Sequence, residues 1–296
     1  INKALSASQN KRTKGSRSEF SGDSTNRTSR IEANRGFMQL NYLESGQGDQ
    51  VVFLLHGLFG SASNLTSLAK ALDPHCRVVR VDLRNHGESF HVDSMSLMEM
   101  AEDLQRLLKH LGVGRAAFVG HSLGGKVAMQ FALRWPDCVT HLVVADIAPV
   151  AYKPHHNETL AALCSIDLRA LKSRADADAQ LAVAEEEVGV RQFLLKNLAR
   201  NDDGSWRWKL NLAAIDRCYD DLRQAPEGEA FRGPVLFIKG ENSAYIQSSH
   251  APAMCRQFPA HQLNVIGGTG HWLHAEKPSA FNTMVSEFLA GAGAPD

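Results

Sequence analysis

A serine stands between two glycines at Gly120-His121-Ser122-Leu123-Gly124, the residue type and spacing of a nucleophile presented on a tight turn. A neutral hydroxyl is a weak nucleophile. Chemistry at Ser122 therefore needs a base to take its proton, a carboxylate to orient that base, and N–H donors aimed at the oxyanion formed when a carbonyl is attacked. The expected base is His271, in Gly270-His271-Trp272-Leu273-His274, because the glycine-rich stretch ahead of it lets a ring approach a sheet edge closely; His274 is the rival. Two carboxylates stand at suitable places, Asp146 in Asp146-Ile147-Ala148-Pro149 and Glu241 in Gly240-Glu241-Asn242-Ser243. The N–H of Leu123, opening the helix after the serine, is one expected oxyanion donor. The second comes from His56-Gly57-Leu58-Phe59-Gly60, with Leu58 the first choice and Phe59 the near alternative. The chemistry such a set supports is acyl transfer.

These groups can act together only if a framework brings residues 58, 122, 146 and 271 to one edge. Apolar runs at 51–55, 78–81, 116–119, 139–145, 234–238 and 262–266 read as strands, mostly continuous rather than alternating, as in a sheet covered on both faces. Residues 37–43 read as an opening strand, with a turn at 45–48. Helices are predicted over 64–72, from a Ser96/Glu99 capping box to Gly112, from the elbow to Pro136, and over 279–289. Alternating strands and helices with right-handed crossovers give a doubly wound, mostly parallel sheet whose functional groups gather at its carboxyl edge. Residues 150–232 break the alternation. Helices at 158–172 and 175–198 and a short aromatic strand or loop at 205–211 read as a mainly helical cap inserted between two sheet strands, since about eighty residues are too many for a connection. The core is then 36–149 plus 233–296. Within the polar loop at 82–89, Arg84 and His86 read as bracing groups, and His56 and His121 as backbone hydrogen-bond partners.

Composition excludes several classes. The chain of 296 residues is formally uncharged, but residues 1–35 hold eight Lys/Arg against three Asp/Glu, leaving 24 against 29 elsewhere; neither nucleic acid nor an anionic membrane is an expected partner. That first segment is polar and basic, with too little apolar content to order itself, and reads as a disordered leader. Five cysteines without C-x-x-C spacing argue against a disulfide framework or a zinc site and fit a reducing, cytoplasmic setting. No apolar run approaches the length of a membrane span.

With these residues in view, the chain resembles the α/β-hydrolase superfamily and, more narrowly, the YbfF-type esterases. The matching stretches are HGLFGSASN at 56–64, VDLRNHGES at 81–89, GHSLGGK at 120–126, ADIAPV at 145–150, RQFLLKNL at 191–198, GENSAYI at 240–246 and GHWLHAEKP at 270–278, in order and including cap segments. The resemblance implies an α/β-hydrolase fold and a serine esterase or thioesterase acting on a small acyl ester or thioester, with no cofactor and no metal. It implies Ser122, Asp146 and His271 as the catalytic set, the YbfF-type pattern placing its acid in the DIAP motif and reading G-x-N-S at 240–243. The same scaffold hosts C–C bond hydrolases, cofactor-free haloperoxidases and a lyase of the SHCHC synthase kind, and a non-catalytic ligand-binding relative is a further alternative.

Overall fold

The structure, a computed structural model, describes residues 39–291; the expected leader lies outside them. In chain order the elements are β1 (Tyr42–Ser45), β2 (Gln50–Leu55), α1 (Thr66–Leu72), β3 (Cys76–Val81), α2 (Leu97–His110), β4 (Ala116–His121), α3 (Leu123–Arg134) and β5 (Val139–Ala145). They are followed by α4 (Asn157–Ser165), α5 (Arg174–Leu181), α6 (Val188–Leu195), β6 (Leu198–Arg200), β7 (Trp206–Trp208), α7 (Leu212–Arg217) and α8 (Tyr219–Leu222). The chain closes with β8 (Val235–Gly240), α9 (Ala251–Gln257), β9 (His261–Ile266), α10 (Leu273–Glu276) and α11 (Pro278–Leu289).

Seven strands form one sheet in the order β1-β3-β2-β4-β5-β8-β9, parallel except for β1. Alternation along each strand divides the core in two. Phe53, Leu55, Phe118 and Leu142 lie on the face covered by α2 and α3, where Phe237 meets Phe258 just after α9, whereas Val52, Leu54, Val119, Val143 and Ile238 lie on the face of α1 and α11. Both faces are therefore dry, which is why these strands read as unbroken apolar runs. Phe118 anchors the first layer, its ring centroid 5.3 Å from Phe53 and 4.6 Å from Phe131; burying a side chain of this size contributes about 2–3 kcal/mol. From β2 the chain leaves for β3 on one side, and from β4 for β5 on the other. The loops after β2 and β4 thus part at a crevice, the place where parallel sheets accept ligands.

Some predicted elements shift. The opening strand is β1 at Tyr42–Ser45 rather than 37–43, of which 37 and 38 are outside the described residues. Ahead of it the chain is held by side-chain and loop contacts instead: Asn41 N–H donates to Ser89 Oγ at 2.8 Å and Asn41 Nδ2 to Asp82 Oδ2 at 2.8 Å. The helix expected over 158–172 ends at Ser165, and a new capping box, Ser173 with Asp176, starts α5. The helix expected over 175–198 is split. Its break at 182–187 is stabilised by the buried Arg191, which donates to the carbonyls of Glu185 (2.9 Å) and Glu186 (2.8 Å) and pairs with Asp178 (3.1 Å). Carbonyls freed from a helix ladder need donors, and one guanidinium supplies them to two.

Candidate active site

Ser122 closes β4 and caps α3 with φ 51° and ψ −116°, a left-handed backbone that costs a non-glycine residue about 1–3 kcal/mol. The strain persists because the elbow has no room to relax. Ser122 N–H is tied to Ala145 O at 3.0 Å and Ser122 O to Lys126 N–H at 3.0 Å. A Cβ on Gly120 would lie 2.2 Å from Gly124 O, and one on Gly124 2.4 Å from Leu55 O, so helix, serine strand and β2 pack at a distance only hydrogen permits. Leu123 begins α3, where the first-turn N–H groups have no partner within the helix.

Loop 56–60 is held from three sides. His56 donates from Nδ1 to Gly57 O (2.8 Å) and accepts at Nε2 from Leu83 N–H (3.0 Å). His86 accepts at Nε2 from Phe59 N–H (3.3 Å) while Nδ1 donates to Arg84 O (2.9 Å). From the insertion, the buried Asn197 donates to Phe59 O at 2.7 Å. Phe59, at φ 60°, thus has both its N–H and its C=O engaged. Arg84 grips Asp103 through two bonds of 2.6 and 3.0 Å and so fixes the bracing loop. Burial keeps both rings neutral, His56 below its ordinary value and His86 down to about 3, with the neighbouring His56 adding to the shift in His86.

Asp146 follows β5, fully buried and again left-handed at φ 51°. Its N–H donates to Ile238 O at 2.8 Å. Its carboxylate accepts from Gly240 N–H (3.0 Å), from the Ser243 hydroxyl and from His271 Nδ1 (2.7 Å). Because a carboxylate can only accept, Nδ1 of His271 carries the proton in that bond, and Nε2 of the neutral ring keeps its lone pair. The other candidate carboxylate, Glu241, instead accepts from Gly268 N–H at 2.6 Å in an exposed turn. Glu276 accepts from Gly270 N–H (2.7 Å) and Trp272 N–H (3.2 Å), and His121 Nε2 donates to His271 O at 2.9 Å. These bonds set the height of the loop that carries His271.

His274 packs instead against His121, ring centroids 4.4 Å apart, and burial with the nearby His271 and Lys196 lowers it to about 4. Four further residues escaped the sequence reading. Tyr245 stacks on His271 at 3.9 Å and 21°, Ser243 donates to Asp146, Tyr152 donates to Tyr245 O at 2.6 Å, and the buried Lys126 donates to Arg223 O at 2.7 Å. Burial brings the Lys126 ammonium down to about 7. Ser243, Tyr245 and Lys126 lie inside motifs already noted, GENSAYI and GHSLGGK, but nothing in a motif tells which distant group a side chain will meet.

Ser122, Leu58, His156 and His271 border a cavity of about 180 Å³ at the carboxyl edge of the sheet. A smaller lobe of about 50 Å³, reached by Ser122, Leu58 and Leu123, opens beside it. Among the described residues no group of three or more His, Cys, Asp or Glu is arranged to hold a metal ion.

A serine on a strained elbow after a central strand, a histidine after the last strand and a carboxylate between them define the architecture of an α/β hydrolase. A family model described as alpha/beta hydrolase fold matches residues 50–278, and the chain belongs to that family. It is 41% identical over 262 residues to a protein of Mus musculus named sn-1-specific diacylglycerol lipase ABHD11, covering 86% of this chain and 85% of that one. To the esterase YbfF of Escherichia coli strain K12 it is 37% identical over 239 residues, or 80% and 92% of the two chains. A solved structure titled marine microorganism esterase superposes with a TM-score of 0.83 at 39% identity, covering 85% of this chain and all of that one.

Proposed function

We propose that this protein is a serine carboxylesterase or thioesterase that hydrolyses short acyl esters or acyl thioesters through an acyl-enzyme. The observation that carries the reading is the 2.7 Å bond from His271 Nδ1 to the buried Asp146 at the wall of a cavity that strained Ser122 also lines. Names of relatives support it, since the proteins above are called esterases and a lipase.

In this reading His271 Nε2 takes the proton of Ser122 as Oγ attacks the acyl carbonyl. The N–H groups of Leu123 and Leu58 hold the oxyanion; Phe59, the alternative donor, has its N–H on His86. Asp146 keeps the proton on Nδ1 and stabilises the imidazolium. Water then repeats the attack on the acyl-enzyme with the same base. Residues 150–232 act as the lid that walls the cavity, tied down by Lys126 and Asn197, and exclude bulk water. Five free cysteines favour a reducing, cytoplasmic setting, and no helix among the described residues is long and apolar enough to cross a membrane.

The test is a fluorophosphonate probe with adduct mapping by mass spectrometry, alongside turnover of p-nitrophenyl butyrate. A single adduct on Ser122 that abolishes turnover is expected. Turnover that survives complete labelling, or an adduct elsewhere, refutes the assignment.

A further inference from the structure

The site is divided, and the division assigns the two halves of the substrate. Leu58, Ser122, His155 and His156 border both lobes. His271 borders only the larger one, together with Leu65, Val190, Phe193 and Trp272. The smaller lobe is walled by Ile147, Tyr152, Tyr219, Leu222 and Tyr245, with the cationic Lys126, Lys153 and Arg223 also at its border. Tyr245 is the partition: its ring stacks on one face of the imidazole at 3.9 Å, and the residue borders the smaller lobe but not the larger. It is fixed there by Tyr152 on its carbonyl (2.6 Å) and Ser243 on its N–H (3.2 Å).

The chemistry then has a direction. When Ser122 Oγ bonds to the acyl carbon, its proton passes to His271 Nε2. As the bond from that carbon to the leaving atom breaks, the electron pair stays on the leaving oxygen or sulfur, which must take the proton from the same Nε2. The leaving group must therefore lie in the lobe that His271 borders. The acyl chain, on the other side of the carbonyl carbon, is left the smaller lobe. Resting on the esterase reading above, we infer that the 50 Å³ lobe is the acyl subsite and the 180 Å³ lobe the leaving-group subsite, so that the substrates are short-chain acyl esters of bulky, apolar, uncharged alcohols or thiols.

Size and polarity agree. At about 10–15 Å³ per water-sized group, the smaller lobe takes roughly four heavy atoms and the larger roughly a dozen. Phe193 and Trp272, centroids 6.2 Å apart, give the larger lobe aromatic walls. Glu185 stands at its border while Lys126, Lys153 and Arg223 border the smaller lobe, so a polyanionic leaving group is disfavoured in the larger one. The vacated larger lobe also admits the hydrolytic water on the side of Nε2, where its proton is taken.

The experiment uses the full chain and two ester series. One holds p-nitrophenol constant and lengthens the acyl group from acetyl to decanoyl; the other holds acetyl constant and enlarges the alcohol from methyl to naphthylmethyl. Leu222→Ala opens the acyl lobe and Phe193→Ala the other. The expected result is kcat/KM falling by about tenfold or more beyond butyryl, where the chain outgrows the lobe, with Leu222→Ala moving that limit to longer chains. Phe193→Ala is expected to lower kcat/KM only for bulky alcohols, and because Phe193 is half-buried it tests the assignment even should Leu222→Ala not fold. Decanoyl esters or a long-chain diacylglycerol turned over as fast as butyryl esters overturn the assignment. So does an exchange of the two variants' effects. No turnover of any ester, without fluorophosphonate labelling, overturns the hydrolase reading itself.

Discussion

Replacing Asp146 by Asn removes one charge and almost no volume, and so separates what the carboxylate does from what it fills. Asp146 accepts three bonds, from His271 Nδ1 at 2.7 Å, Gly240 N–H at 3.0 Å and the Ser243 hydroxyl. An asparagine keeps one oxygen for Gly240 and turns its NH2 toward His271 and Ser243. The serine hydroxyl rotates to accept, but the imidazole has to present a lone pair at Nδ1 and carry its proton at Nε2. That tautomer cannot deprotonate Ser122. By the behaviour of serine proteases, kcat should fall by about 10⁴, close to 5.5 kcal/mol of transition-state stabilisation. Glu241→Gln is the control, since it only weakens an exposed bond to Gly268 N–H; a loss under about tenfold is expected. Initial rates on p-nitrophenyl butyrate, with the thermal midpoint of each variant, decide it. An Asp146→Asn enzyme within tenfold of the parent, or a larger loss from Glu241→Gln, refutes the assignment of the acid while leaving Ser122 and His271 in place.

Ser122→Ala should lower kcat by a factor on the order of 10⁶, because the members of such a set act as a unit; a variant that keeps a hundredth of the parent rate shows another nucleophile. Gly120→Ala puts a methyl carbon 2.2 Å from Gly124 O and should cost on the order of 3 kcal/mol, or roughly 5–10 °C in Tm, a shift absent if the elbow can relax. Acid should unfold the protein early: His86 is held at about 3 and His156 and His274 at about 4 by burial, below the ~6.5 of an unfolded imidazole. Their folded values being depressed, the stability they contribute is complete above about pH 6.5 and is lost toward pH 4, each ring costing about 1.4 kcal/mol per pH unit. Urea midpoints unchanged between pH 6.5 and 4.5 would show that these rings are not shielded from water.

What the sequence disclosed, and what it withheld, follows the range of the forces involved. Strands such as Val139–Ala145 are legible because a sheet covered on both faces demands apolar residues at every position. The Ser96–Glu99 box marks the start of α2 because both of its hydrogen bonds are local. The insertion was less legible. Its break between α5 and α6 depends on Arg191 reaching back to two carbonyls and across to Asp178, and apolar spacing alone reads straight through it. Within the site, Ser122 and His271 could be singled out by the glycines that give them room. Asp146 and Glu241 both follow predicted strands, and choosing between them took the resemblance. Tyr245 and Lys126 could not be found, since Lys126 meets Arg223 97 positions away.

The position of the acid becomes understandable from the sheet. Along the order β4-β5-β8-β9, Ser122 follows the first strand and His271 the last, so the histidine has to return across two strands. Its loop manages this by being braced at Gly268, Gly270 and Trp272 through Glu241 and Glu276. An acid after β8 would meet it halfway. Asp146 belongs to β5, yet its N–H bonds to Ile238 of β8 and its carboxylate gathers Gly240 N–H and Ser243 from the loop beyond β8. The left-handed backbone at Asp146 turns the side chain toward that strand. The carboxylate therefore occupies the space beside β8 while the chain that bears it comes from the neighbouring strand, and the residue left after β8, Ser243, becomes a donor that holds the carboxylate. Position in space, not position along the chain, is what the imidazole requires, and two adjacent parallel strands offer the same space from either side.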